Sequence, residues 1–256
     1  MKGLGLIAIA ALAPFAYCQK GPTVVMPSEG DIEGVTFDSA RGAVYVPILE
    51  FSDAFGLDAH YDSKGKQYTL EGVKIASKIT KVLFDGSILV DIKSLDIPNI
   101  HVQWDEESNS YQIDTETHFG IVTVPEQWVE VNLTAQRLRA YQGNRLVMET
   151  KVSTGKRGYS TPTGEYTAGP EKSRYRTSAK YENAPMPFSV QLRGGYFIHG
   201  SSSVPNYPAS HGCVRMPLTG MNAARYFYEW VGVGAPITLR YGWSERVAAL
   251  DSAAKN

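Results

Sequence analysis

Cysteine is nearly missing from this chain: there are 2 in 256 residues, Cys18 and Cys213. Cys18 ends an apolar N-terminal run, so no disulfide framework is available and Cys213 has no partner once that run is discounted. An excess of either charge is missing too. The 25 Lys and Arg nearly balance the 26 Asp and Glu, for a net charge of −1, which leaves no basic stripe for nucleic acid. The longest apolar run, Leu4 to Tyr17, is too short for a comfortable membrane span. What the chain does have is 15 Tyr, 24 Gly and 14 Pro, a balance that favours strands and turns over a helical bundle. The expected class is mainly β with short helices (α+β). Its length predicts two domains, each large enough to bury a core without disulfide staples.

Residues 1–18 read as a secretory signal peptide. Lys2 supplies the positive start, and Ala16 and Cys18 are the small residues before a cut. A lipid-anchored Cys18 and a retained, uncleaved leader are the alternatives. All three place the protein outside the cytoplasm, in the periplasm, cell wall or extracellular space. An odd thiol in an exported protein is a candidate reactive group.

An internal repeat follows. Val46-Pro47-Ile48 through Tyr61-Asp62 to Tyr68-Thr69-Leu70 matches Val90-Asp91-Ile92 through Trp104-Asp105 to Tyr111-Gln112-Ile113. Each copy predicts a short strand, a small helix (Leu49 to Phe55; Ile92 to Leu95) and a hairpin with a polar turn. This pattern resembles the two-copy domain named from the N-terminus of copper amine oxidases, over about residues 35–115. His60 and His101 are expected to be half-buried structural residues, not copper ligands, and the unit to be a spacer or wall-facing adaptor.

A polar joint, Asp114 to His118, predicts the start of the second domain at 119. Strands are expected at Val129–Leu133, Arg137–Tyr141 and Leu146–Val152, with a tight turn at Gly143-Asn144. Residues 169–187 show no clear period and read as a long irregular loop, with Tyr175 and Tyr181 as candidate lid residues. A helix capped by Thr219 is predicted through Trp230, with Met221 on its apolar face. A closing strand over Pro236–Tyr241 ends the domain, and 242–256 reads as a flexible tail.

The chemistry concentrates in Ile198-His199-Gly200-Ser201 and Ser210-His211-Gly212-Cys213-Val214-Arg215-Met216. A thiol with an imidazole near it suffices for covalent acyl transfer, because the ring generates the attacking thiolate. His199 is the candidate base. The amides of Gly212 and Cys213 are the natural oxyanion donors. Arg215 either lowers the thiol's pKa or holds a substrate carboxylate. Met186, Phe188, Tyr196 and Tyr207 are candidate linings of the donor cleft, against ordinary β-core packing.

At these residues the chain resembles the L,D-transpeptidase catalytic domain, also called YkuD, over 119–241. The resemblance implies a β-sandwich-like fold, Cys213 as nucleophile, His199 as base and the Gly200 carbonyl as its orienting group. It implies supporting roles for Ser210, His211, Gly212 and Arg215, and no cofactor or metal. The implied substrate is a peptidoglycan stem tetrapeptide, held as a thioester after D-Ala leaves. The acceptor is the amine of a neighbouring stem (3→3 cross-links), water (L,D-carboxypeptidase) or a lysine of a wall-attached protein. A monomer is expected. Two rivals stand beside this: a zinc site from His199, His211 and Cys213, and a catalytically idle wall-binding protein.

Overall fold

The computed structural model describes residues 31–255, so the leader at 1–18 lies outside the described residues. Among the described residues no helix is long and apolar enough to cross a membrane. The chain is mostly strand, with three α-helices among the described residues.

Two apolar cores organise it. The larger unites a five-stranded sheet with a four-stranded one. The first has the order Arg145–Lys151, Arg137–Gln142, Gln127–Asn132, Pro236–Arg240, Gly164–Thr167; the second runs Lys172–Ser178, Ala184–Arg193, Tyr196–Ser201, Val214–Pro217. Alternation decides which side chains meet, since every second residue of a strand faces one way. Val129, Val131, Leu138, Ala140, Ile237 and Leu239 come from the first sheet, and Val190, Ile198, Val214 and Met216 from the second. The helix Ala223–Trp230 adds Ala224, Phe227 and Trp230 to this core. Truncating either aromatic to Ala costs about 3–5 kcal/mol.

That helix starts later than its sequence suggests. Asn222 Oδ1, not Thr219, caps it by accepting from Arg225 N at 3.1 Å, and Met221 lies outside it, 52% exposed. The residues 169–187, expected to be an irregular loop, contain most of a long antiparallel hairpin, Lys172–Ser178 against Ala184–Arg193. Its first strand, Lys-Ser-Arg-Tyr-Arg-Thr-Ser, is an edge with no buried residue, so no apolar alternation announces it.

The smaller core carries the repeat. Equivalent strands of the two copies pair antiparallel, with Val46 opposite Val90, which is what a local two-fold axis produces. Equivalent hairpins set Tyr61 against Tyr68 and Trp104 against Tyr111, with ring centroids 4.9 and 4.8 Å apart. In both turns the leading Asp accepts from a main-chain N–H two residues on (Lys64, Glu107), the usual Asx-turn. His60 and His101 are exposed, not half-buried, because each stands on an outward-facing strand position.

Two boundaries move. Phe119–Thr123, expected to open the second domain, pairs with Ser110–Asp114, and its Val122 lies in the smaller core. The polar joint is simply the turn of that hairpin, closed by Thr115 N donating to His118 O at 2.9 Å. The expected flexible tail is instead a docked helix, Glu245–Ala253. Ser244 caps it, Val247 is buried, and Arg139 holds Asp251 through two 2.9 Å contacts. Its weak apolar pattern hid this, since one buried valine and a handful of polar contacts fasten it.

The smaller unit is clasped to the larger. Lys172 Nζ, 9% exposed, donates at 2.6 Å to both Asp38 Oδ2 and the Val231 carbonyl. Arg145 forks onto Glu50, and Phe37 and Phe84 pack edge-on against Tyr226.

Candidate active site

His199 lies on a strand, and Cys213 sits just before that strand's parallel neighbour. Tyr196–Ser201 pairs with Val214–Pro217 so that Ile198 lies opposite Val214 and His199 opposite Arg215. Ile198, Val214 and Met216 face the core. Residues of the other parity, including His199 and Arg215, face the opposite side, and Cys213 immediately precedes the second strand. Parallel pairing therefore places the two expected catalytic residues, fourteen apart in sequence, at adjoining strands.

The imidazole of His199 is buried, and its Nδ1 lies 2.9 Å from the Gly200 carbonyl oxygen. A carbonyl only accepts, so Nδ1 carries the hydrogen and the neutral ring keeps its free lone pair on Nε2. Burial lowers the His199 pKa to about 4; the Gly200 hydrogen bond opposes this and the Arg215 charge adds to it. Gly200 itself has no room for a side chain, since a Cβ would come within 2.4 Å of Leu218 Cδ2 and 3.1 Å of Ala224 Cβ.

Cys213 is a free thiol and partly exposed. Its S–H donates to the Gly195 carbonyl at 3.7 Å. Burial pushes its pKa up, against the Phe197 main-chain hydrogen bond and the Arg215 and Arg176 charges, which pull it down. The resting pair is thus a neutral thiol beside a neutral imidazole.

The nucleophile turn is tied by Ser210. Its hydroxyl donates to the Cys213 carbonyl at 2.6 Å and accepts from Gly212 N at 3.1 Å. This corrects the expected oxyanion pair. The Gly212 N–H is spent inside the turn, because a serine oxygen captures the amide two residues on, and only the Cys213 N–H is left outside it. Gly212 sits at φ +116°, and a Cβ there would meet Tyr196 Cε1 at 2.8 Å.

A buried polar network supports this turn, and sequence reasoning did not find it. Gln136 donates to Thr154 Oγ1 and accepts from Thr154 N, both at 2.8 Å. The Thr154 carbonyl takes the amides of Ala209 and Ser210 at 2.9 Å, and Ser153 and Arg215 exchange main-chain bonds at 3.0 Å. Thr161 Oγ1 donates to the Gly212 carbonyl and accepts from Gly155 N, both at 2.8 Å. The signal lies in two turn clusters, Ser153-Thr154-Gly155 and Thr161-Pro162-Thr163-Gly164, whose hydroxyls and amides fold back toward the motif.

The four proposed cleft residues divide. Phe188 leans on Tyr228 of the helix, at 6.0 Å, and packs against the core, so it does not line the cleft. Met186 is buried opposite Arg176, whose guanidinium lies over the Phe197 ring. Tyr196 packs on Gly212. Tyr207 is 61% exposed and placed by its carbonyl, which accepts from Ser153 Oγ at 2.7 Å. Of the candidate lid residues, Tyr181 stacks on His211 at 4.6 Å while Tyr175 is 84% exposed. Two cavities of about 390 and 350 Å³ lie elsewhere, around Trp128 and Gln127, and neither touches Cys213 or His199. Among the described residues no group of three or more His, Cys, Asp or Glu side chains is placed to hold a metal ion.

Three solved structures illustrate the comparison. An L,D-transpeptidase (residues 123–326) from Xylanimonas cellulosilytica DSM 15894 is 28% identical, with 46% of this chain and 62% of that one covered and a TM-score of 0.40. An L,D-transpeptidase (Yku) from Stackebrandtia nassauensis is 24% identical, with 47% and 58% covered and a TM-score of 0.41. An L,D-transpeptidase from Mycobacterium smegmatis is 17% identical, with 82% and 99% covered and a TM-score of 0.41. This chain spans about three fifths of the length of the first two. No curated protein matches it. The family model described as the L,D-transpeptidase catalytic domain, YkuD, matches residues 126–239. The segment that holds His199, Gly200 and Cys213 therefore lies within the stretch that matches the YkuD family model.

Proposed function

We propose that this protein is a cysteine-dependent L,D-transpeptidase that acts outside the cytoplasm on peptidoglycan stem tetrapeptides. The observation that carries the reading is the 2.9 Å contact between His199 Nδ1 and the Gly200 carbonyl, which leaves Nε2 as a base on the nucleophile's side of the sheet. His199 takes the Cys213 proton as sulfur bonds to the carbonyl carbon before the terminal D-Ala. The C–N bond then breaks, the proton passes to the departing amine, and the rest of the stem stays as a thioester. The Cys213 N–H faces the developing oxyanion. An acceptor amine attacks next, His199 receives its proton, and the S–C bond breaks as a 3→3 cross-link or a bond to a protein lysine forms. Water in place of the amine gives an L,D-carboxypeptidase, a second reading that the partly exposed Cys213 supports.

Incubation with a carbapenem followed by intact mass measurement tests the first half-reaction. One adduct is expected on the wild type, none on Cys213→Ala, and one formed far more slowly on His199→Ala. An unmodified wild type would argue for the idle wall-binding alternative. Muropeptide profiles after overexpression separate the acceptors, since new 3→3 dimers mean cross-linking and accumulating tripeptides mean hydrolysis.

A further inference from the structure

Around His211, two residues before the nucleophile, three cations collect without a carboxylate in ion-pair contact. His211, two residues before Cys213, is exposed and clamped between two tyrosines. Tyr181 stacks on it at 4.6 Å and 24°, and Tyr159 meets it edge-on at 4.7 Å and 84°. Lys156 Nζ lies 5.4 Å from the Tyr159 ring and Lys180 Nζ 5.5 Å from the Tyr181 ring. Arg215 stands opposite His199 on the adjoining strand. Lys156 is fixed to the nucleophile turn, because its N–H donates to the Ser210 carbonyl at 3.0 Å.

Several other cations of the chain are paired: Arg176 with Glu171, Lys172 with Asp38, Arg139 with Glu149 and Asp251, Arg145 with Glu50. Among the described residues, Lys156, Lys180 and Arg215 have no carboxylate within ion-pair distance. Their charges also act together on His211 and, after its partial burial, push its pKa down. Like charges gathered on one shelf repel, and an anion that settles among them relieves that repulsion.

We propose that Lys156, Lys180 and Arg215, arranged around the Tyr159–His211–Tyr181 stack, form a shelf that receives the free terminal carboxylate of the acyl donor. This rests on the function proposed above. When the scissile carbonyl sits at Cys213, the carboxylate of the departing residue is only three bonds away, so it falls beside the nucleophile. The shelf then selects the last peptide bond of a donor with a charged end and rejects an internal bond, whose next group is a neutral amide. It also holds the leaving amino acid's negative end while its amine takes the proton.

The test separates the shelf from the enzyme. Cys213 is alkylated at low salt with iodoacetate, which is anionic, and with iodoacetamide, which is neutral, and the rate ratio is compared between wild type and Lys156→Gln/Lys180→Gln. The expected ratio falls about threefold to tenfold in the variant, falls in the wild type as salt rises, and returns in Lys156→Arg/Lys180→Arg. A ratio unchanged by the glutamine pair overturns the shelf. In parallel, a tetrapeptide donor with a C-terminal carboxylate is compared with its carboxamide. The wild type should prefer the carboxylate through KM and the glutamine pair should lose that preference; equal use by the wild type also overturns the shelf. If neither peptide acylates the protein, the transpeptidase reading falls, and the alkylation ratio still decides the shelf.

Discussion

The pH dependence of Cys213 acylation offers the sharpest test of the proposed mechanism. The His199 ring is held neutral by burial, with its pKa lowered to about 4 from an ordinary 6.5. At 1.36 kcal/mol per unit, that difference corresponds to about 3 kcal/mol favouring the neutral ring. Two consequences follow from the one number. The base remains competent well into acid, so the acid limb of carbapenem acylation, followed by intact mass against time, should have its midpoint near pH 4. The fold should also lose stability in the same window. Between pH 6.5 and 4 the unfolded chain binds a proton that the folded ring refuses, so the contribution is complete above about 6.5 and is lost as pH falls through that window. Because carboxylates also weaken the fold in acid, the comparison needs His199→Gln. Urea unfolding at pH 7 and 4.5 should show a loss about 2–3 kcal/mol larger in the wild type than in the variant. A limb near pH 6.5, or thiolate ultraviolet absorbance at neutral pH, would refute a neutral resting pair.

Ser210→Ala removes both bonds that shape the nucleophile turn; at about 1 kcal/mol each, it should lower kcat about thirtyfold while leaving KM nearly unchanged, as steady-state kinetics would show. Gly212→Ala must place a Cβ against Tyr196 at φ +116°, and should inactivate; Tyr196→Ala in the same chain removes the clash but not the backbone strain, so acylation should return only in part. Lys172→Met leaves Asp38 without its ammonium partner at a mostly buried joint, and should cost about 3 kcal/mol, a fall of roughly 10 °C in calorimetry; Asp38→Asn added to it should cost little more. Truncation before Trp243 removes buried Val247 together with Asp251, the partner of Arg139, and should lower Tm by several degrees without changing the acylation rate.

The chemistry was legible because it is local. Ser-His-Gly-Cys and His-Gly are short strings whose spacing already implies a turn and a neighbouring strand, and the parallel register joins them. The repeat was legible for the same reason, since its aromatic–Asp pairs mark equivalent hairpins. What stayed hidden depends on partners far away in sequence. Phe119–Thr123 alternates like any half-buried strand, and nothing in it says which sheet it will join. The edge strand Lys172–Ser178 buries no apolar face and so carries no period. The tail helix is held by Arg139 and Trp128, more than a hundred residues upstream. The oxyanion expectation failed one level lower: the serine that introduces the motif takes up the amide of Gly212.

Lys172 is the first residue of the arm that runs to Lys180 and Tyr181, and it is fastened to Asp38 on the other unit. One end of that arm is thus anchored in the front third of the chain, while the other carries Tyr181 onto His211, two residues before Cys213. The Lys172–Asp38 joint therefore holds the near end of the strand whose far end leads into the Tyr181–His211 stack.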